Sequence, residues 1–191
     1  MPPKVKITKE MILESSFKII RSEGYENLNA RKIAECLGCS TQPVLYQYKT
    51  MEEIREEVYR LADDYHSRYI MPSGKPDTNP LLELGLNYIR FGHEESNLFC
   101  FLFQTNKFGG LDVKSLMENP ELSTIVEMVA EAVKCSTPEA RELFLTFFIV
   151  AHGYASLMAN NAMNYDEMQA SKTLADVFDG LLSARERTTD K

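Results

Sequence analysis

A chain of 191 residues, 44% apolar and 26% charged, has ordinary globular composition and the length for a small head plus one larger domain, which excludes a disordered tail-like protein. The net charge of −7 argues against nucleic acid as a partner of the whole chain. The charge is uneven, however: residues 1–50 carry eight Lys/Arg against five Glu, a net of +3, which leaves −10 on the remaining 141. No run of 18 apolar residues occurs and no apolar signal core opens the chain, so the expectation is a cytoplasmic protein without a membrane role.

Residues 1–7 form a proline-containing arm in which Lys4 and Lys6 could reach phosphates. Thr8 caps a first helix whose inward side is Ile12, Phe17 and Ile20, with Leu13 and Ser16, and Gly24 stops it. Tyr25 and Leu28 then pack a three-helix head. Within residues 28–49, Asn29 caps a short helix with an apolar stripe of Ile33, Ala34 and Leu37. Gly38 stands where that helix ends and the chain needs positive φ. Ser40 caps the next helix, and Pro43 falls in its first turn, where a missing N–H costs nothing. Two helices joined by so short a turn cross steeply, as in a helix-turn-helix. In that motif the second helix leads with its N-terminal residues into the major groove. Here these are Thr41, Gln42 and Pro43, short and uncharged, suited to base edges. Cys36 and Cys39 have metal-like or redox-like spacing, but no second pair completes a zinc site, and both are read as small hydrophobes of the motif.

Thr50 caps a helix from 51 to about 70, with Ile54, Val58, Leu61 and Tyr65 along one face and acidic residues on the other. Residues 71–80, with three prolines and a glycine, are the clearest loop. Asn79 caps the next helix, with Leu81, Leu84, Tyr88 and Ile89 inward. Residues 97–104 are apolar nearly all round and predict a helix buried on several sides. A loop follows at 106–111, then an amphipathic helix marked by Leu122, Ile125, Val126, Val129 and Val133. The longest helix runs from 137 to about 161, with Leu143, Phe147, Val150, Tyr154 and Met158 at helical spacing and Gly153, Ala155, Ala159 and Ala162 as small residues that admit a neighbouring helix. A last helix carries Leu174, Val177, Phe178, Leu181 and Leu182, and residues 185–191 read as a polar, disordered tail. Two long antiparallel helices at the C-terminus supply half of a two-fold four-helix bundle.

The N-terminal pattern resembles that of the TetR family of transcriptional regulators. It comprises Ile12-Leu13, Ser15-Ser16-Phe17, Ile20, Gly24-Tyr25, Leu28-Asn29, Ile33-Ala34, Gly38-Cys39-Ser40, Tyr48, Glu52-Glu53 and Ile54, without a gap over about fifty residues. The resemblance implies an all-α protein: a three-helix head with a helix-turn-helix (residues 1–50), a connecting helix (about 51–70) that carries a ligand signal, and a larger helical ligand-binding and dimerisation domain (71–191). Three positions depart from the pattern: Leu45 replaces a usual phosphate-contacting tyrosine, Gln47 a usual His or Tyr, and Met51 a usual lysine.

The expected function is a homodimeric, ligand-responsive DNA-binding regulator, a repressor where its pseudo-palindromic operator overlaps a promoter. Thr41, Gln42, Pro43, Tyr46 and Gln47 would meet bases or nearby backbone, and Arg31, Tyr48 and Lys49 would hold phosphates. An unidentified small-molecule effector would sit among the soft and aromatic side chains of the body, with Phe91, Phe103, Met117, Met128, Phe147 and His152 as candidates. No cofactor or metal is expected, and no nucleophile signature supports an enzyme. The alternative is a helical small-molecule-binding or scaffold protein whose head has lost DNA affinity, which Leu45, Gln47 and Met51 keep open.

Overall fold

The computed structural model of the chain describes residues 6–75, 78–105, 110, 112, 115, 118–161 and 163–189. Among them are nine α-helices and no strand. They divide into two compact units, Met1–Ser67 with Glu95–Lys107, and Arg68–Glu94 with Phe108–Lys191.

The first unit holds α1 (Lys9–Glu23), a 3-10 turn (Tyr25–Asn27), α2 (Ala30–Cys36), α3 (Thr41–Gln47), most of α4 (Met51–Ile70) and α6 (Ser96–Phe103). Its ends are set by local chemistry. The Thr8 hydroxyl accepts from the Met11 N–H at 3.3 Å, and Gly24, at φ 90°, donates its N–H back to the Ile20 carbonyl. The Asn29 side chain accepts from the Lys32 N–H at 3.0 Å. At the end of α2, Gly38 (φ 63°) donates to the Glu35 carbonyl and Cys39 to that of Ala34, the paired bonds of a Schellman motif. Thr50 caps α4 through the Glu53 N–H, and the Glu53 carboxylate takes the Lys49 N–H in return. Ile12, Ile19, Ile20, Leu28, Ile33, Val44, Ile54 and Val58 form the core. Each such full burial contributes about 1.5–3 kcal/mol.

Four expectations change here. Ser40 adopts the extended cap backbone, but its hydroxyl makes no cap bond. Cys36 is exposed rather than packed, because the buried side of α2 is Ile33 and Ala34. The buried stripe of α4 runs Ile54, Val58, Ala62, His66; the predicted Leu61 and Tyr65 flank it half-buried. The apolar helix α6, expected in the C-terminal body, belongs to the first unit. The Phe101 ring lies 6.0 Å from that of Tyr25 and 5.6 Å from that of Tyr59, and Tyr59 donates to the Leu102 carbonyl. Buried Glu95, at its N-terminal side, accepts from Arg21 Nε at 2.7 Å and from the Tyr65 hydroxyl at 2.8 Å, and a second guanidinium contact makes the pair bidentate.

The second unit contains α5 (Pro80–Glu94), a 3-10 turn (Pro120–Leu122), α7 (Ser123–Val133), α8 (Thr137–Asn161) and α9 (Glu167–Thr189). Asn79 caps α5 through the Leu81 and Leu82 N–H groups. α5 and α8 approach closely at two glycines: a Cβ on Gly92 would stand 2.8 Å from the Ala155 carbonyl, and one on Gly85 2.5 Å from the Phe147 ring. α9 continues through to Thr189, not into a tail from 185. Arg185 holds it there, donating to the Val133 and Lys134 carbonyls at the end of α7 and to Glu139. Residues 143–160 of α8 carry no charge and are long and apolar enough to cross a bilayer by composition. That apolarity has a use within the unit, since Leu143, Phe144, Phe147, Ala151, Ala155 and Met158 are buried.

Candidate nucleic-acid interface

The turn between α2 and α3 is fixed by the Gly38 bonds, and α3 is seated on the head by Val44 and Tyr48, both closed from solvent. Seating it that way presents Thr41, Gln42, Leu45 and Tyr46 outward: Leu45 is 51% and Tyr46 86% exposed. The offsets i, i+1, i+4 and i+5 lie within about 140° of one helix face. Pro43 is half-buried at the edge of that face. None of these side chains is charged. The head's cations stand on other segments instead. Arg31 and Lys49 are exposed and make no ion pair among the described residues, and neither do Lys6 and Lys18. Lys32 is committed to Glu23, and Lys9 sits 3.9 Å from Glu57 and over the Tyr48 ring.

Two of the expected contact residues are spoken for. Tyr48 is 1% exposed and donates its hydroxyl to Glu57 at 2.7 Å, so it is a core residue and not a phosphate contact. Burial, followed by the hydrogen bond to that carboxylate, holds its phenol well above the usual tyrosine range. Half-buried Gln47 donates its amide to the Ile7 carbonyl at 2.9 Å. It ties the segment that leads into α1 to the end of α3, a role that sequence spacing does not show. Leu45 is the residue the sequence noted only as a departure and the structure places on the outer face.

The ligand-site candidates scatter. Phe91 and Phe147 are fully buried core of the second unit. Met128 is half-buried there on α7. His152, also half-buried, faces the Tyr88 hydroxyl through Nδ1 at 2.8 Å and lies tilted against the Phe148 ring at 5.5 Å; burial pushes its pKa down. Phe103 belongs to the first unit, edge-on to His66 and 5.0 Å from Phe99. Met117 lies outside the described residues. Two open clefts, each about 260 Å³, lie in the first unit: one between Tyr25, Arg55, Phe101 and Thr105, the other between α1 and α2 beside Ser15 and Cys36. Neither is lined by any of the six candidates.

No protein-family profile and no curated protein sequence matches the chain. Solved structures do. A transcriptional regulator from Rhodococcus sp. Rha1 superposes with a TM-score of 0.68 at 18% identity, covering 93% of this chain and 97% of its own. A TetR-family regulator from Streptomyces coelicolor gives 0.68 at 15% identity, covering 92% and 80%. A protein assigned to the TetR family from Rhodococcus sp. gives 0.60 at 17% identity, covering 91% and 97%. The chain has the TetR-regulator fold. At these identities the likeness is one of architecture, and the chemistry of the TetR-like head has to be argued from its own residues.

Proposed function

We propose that this protein is a DNA-binding transcriptional regulator that acts as a cytoplasmic homodimer, with α3 as the recognition helix. The observation that carries it is the outward face of Thr41, Gln42, Leu45 and Tyr46, uncharged and flanked by the uncommitted cations Arg31 and Lys49, on a helix-turn-helix within a TetR-like fold. Charged donors at the rim position a helix on phosphates, and an uncharged face is left to read base edges.

The second copy would dock on α8 and α9. Ile149 and Leu157 on α8 are 52% and 50% exposed, with Gly153 one turn from each, and open space surrounds both Gly153 and Gly180 of α9. Large apolar groups exposed at i and i+8 with a glycine at i+4 fit a two-fold helical bundle. A small-molecule effector held by the helical body would weaken operator binding, and promoter overlap would make the protein a repressor. It is a binding protein, not an enzyme, in this proposal.

Selection of duplexes from a random pool by the purified full-length protein, at near-physiological salt, tests the function. One inverted repeat with half-sites about one helical turn or somewhat more apart is expected. Salt-sensitive binding with no enriched sequence, with and without cellular metabolite extract, would overturn it in favour of a scaffold or small-molecule-binding role.

A further inference from the structure

We infer that α3 reads A·T base pairs, through the amide of Gln42 and the apolar side chain of Leu45. The inference rests on the DNA-binding function proposed above and names the class of sequence that it takes. The set of side chains available for base reading is small. Val44 and Tyr48 are buried, Gln47 is bonded to the Ile7 carbonyl, and Pro43 is half-buried with no side-chain donor. Thr41, Gln42, Leu45 and Tyr46 remain.

Guanine shows two acceptors, N7 and O6, in the major groove, and its usual reader is a bidentate Arg or Lys. The outer face of α3 has neither. Arg31 stands on α2 and Lys49 beyond the end of α3, so neither is part of that face. Adenine shows an acceptor at N7 beside the N6 donor, and a glutamine amide matches that pair with its own donor and acceptor. The exposed side chain of Gln42, in the first turn of α3, forms no hydrogen bond among the described residues and can pair with that edge. Thymine is distinguished by its C5-methyl, which is recognised by apolar contact. Leu45, half-exposed one turn further along the same face, buries apolar area only if something apolar meets it. A thymine methyl is the apolar group that the major groove offers. Tyr46, 86% exposed, adds a ring to the same side and a hydroxyl that can reach a phosphate.

The test uses the duplex recovered by selection, with the positions governed by α3 defined as those whose preference changes in Gln42→Ala or Leu45→Ala. Both side chains are exposed, so the variants keep the fold, which circular dichroism verifies. At these positions the wild type selects A·T, and replacing one pair by G·C weakens binding about 5- to 100-fold. Replacing the contacted thymine by deoxyuridine, which removes only the methyl, weakens wild-type binding several-fold and Leu45→Ala binding no further. Gln42→Arg moves the preference at its position from adenine to guanine. Selection of G·C at these positions, or indifference of the wild type to deoxyuridine, overturns the A·T assignment and leaves the regulator function standing. Absence of any enriched sequence overturns the DNA-binding function itself.

Discussion

The phenol of Tyr48 donates to Glu57 at 2.7 Å from a position closed to solvent, and this one bond joins the end of α3 to the middle of α4. A tyrosine in a recognition segment is easily taken for a phosphate donor. Here its hydroxyl is already used, and in the proposed function exposed Lys49 is left as the phosphate donor at this end of α3.

The two roles separate by substitution. Tyr48→Phe leaves the Glu57 carboxylate short of one donor and lowers stability by about 1–2 kcal/mol in urea unfolding. It leaves the slope of log affinity against log salt unchanged. Lys49→Ala costs no measurable stability and lowers that slope by about one. A reduced slope in Tyr48→Phe would put the phenol back on the DNA.

His66 gives the fold a pH dependence. It is buried beside Phe103, and burial pushes its pKa down to about 4. The unfolded chain takes up a proton near pH 6.5, whereas the folded protein does so only near 4. The stability contributed by the neutral ring is therefore fully present above 6.5 and is lost as the pH falls from 6.5 towards 4. The loss is on the order of 3 kcal/mol. Urea midpoints at pH 7.5, 6 and 5 should fall more steeply for the wild type than for His66→Met. Equal slopes would contradict the burial of a neutral imidazole.

The second unit depends on glycine at a helix crossing. At Gly92 a methyl group would meet the backbone carbonyl of Ala155 at 2.8 Å, and backbone cannot rotate away. Gly92→Ala should destabilise by about 2 kcal/mol in spite of alanine's roughly 1 kcal/mol better helix propensity. At Gly85 the obstruction is the Phe147 ring, a side chain that can yield. Gly85→Ala should therefore cost less alone and be partly rescued by Phe147→Leu. Thermal denaturation of the four variants decides it.

A different outcome is expected on the open side of α8. Leu157→Glu places a charge on an exposed face and should leave the protomer folded. If a second copy covers that face, sedimentation at micromolar concentration will show a dimer for the wild type and a monomer for the variant. An unchanged sedimentation coefficient would remove α8 from the dimer interface.

Local signals in the sequence were the legible ones. Thr8, Asn29, Thr50 and Asn79 cap helices, and Gly24 and Gly38 end them at positive φ, because these effects act within a single turn of chain. The long helices were legible through their apolar period. What escaped depends on partners distant in sequence. α6 is apolar all round and gives no direction, so nothing local tells that Glu95, 74 residues from Arg21, anchors it to the head. The inward side of α4 passes through Ala62 and His66, a small residue and a polar one, which an apolar stripe overlooks. Residue type alone makes Tyr48 and Gln47 candidate DNA contacts, yet the hydroxyl goes to Glu57 and the amide to Ile7. The body's aromatics show composition for a pocket, but Phe91 and Phe147 are spent in core packing.

The division of labour proposed for the head, bases to α3 and phosphates to its rim, is tested most directly by comparing wild type and Gln42→Ala. Affinity for the selected duplex and for a scrambled duplex of equal length is measured by fluorescence anisotropy across a salt series. The expected result is that Gln42→Ala loses most of the discrimination between the two duplexes, about 5- to 100-fold, while its affinity for the scrambled duplex and its salt slope stay at the wild-type values. Discrimination equal to that of the wild type would contradict the assignment of α3 as the element that reads DNA sequence.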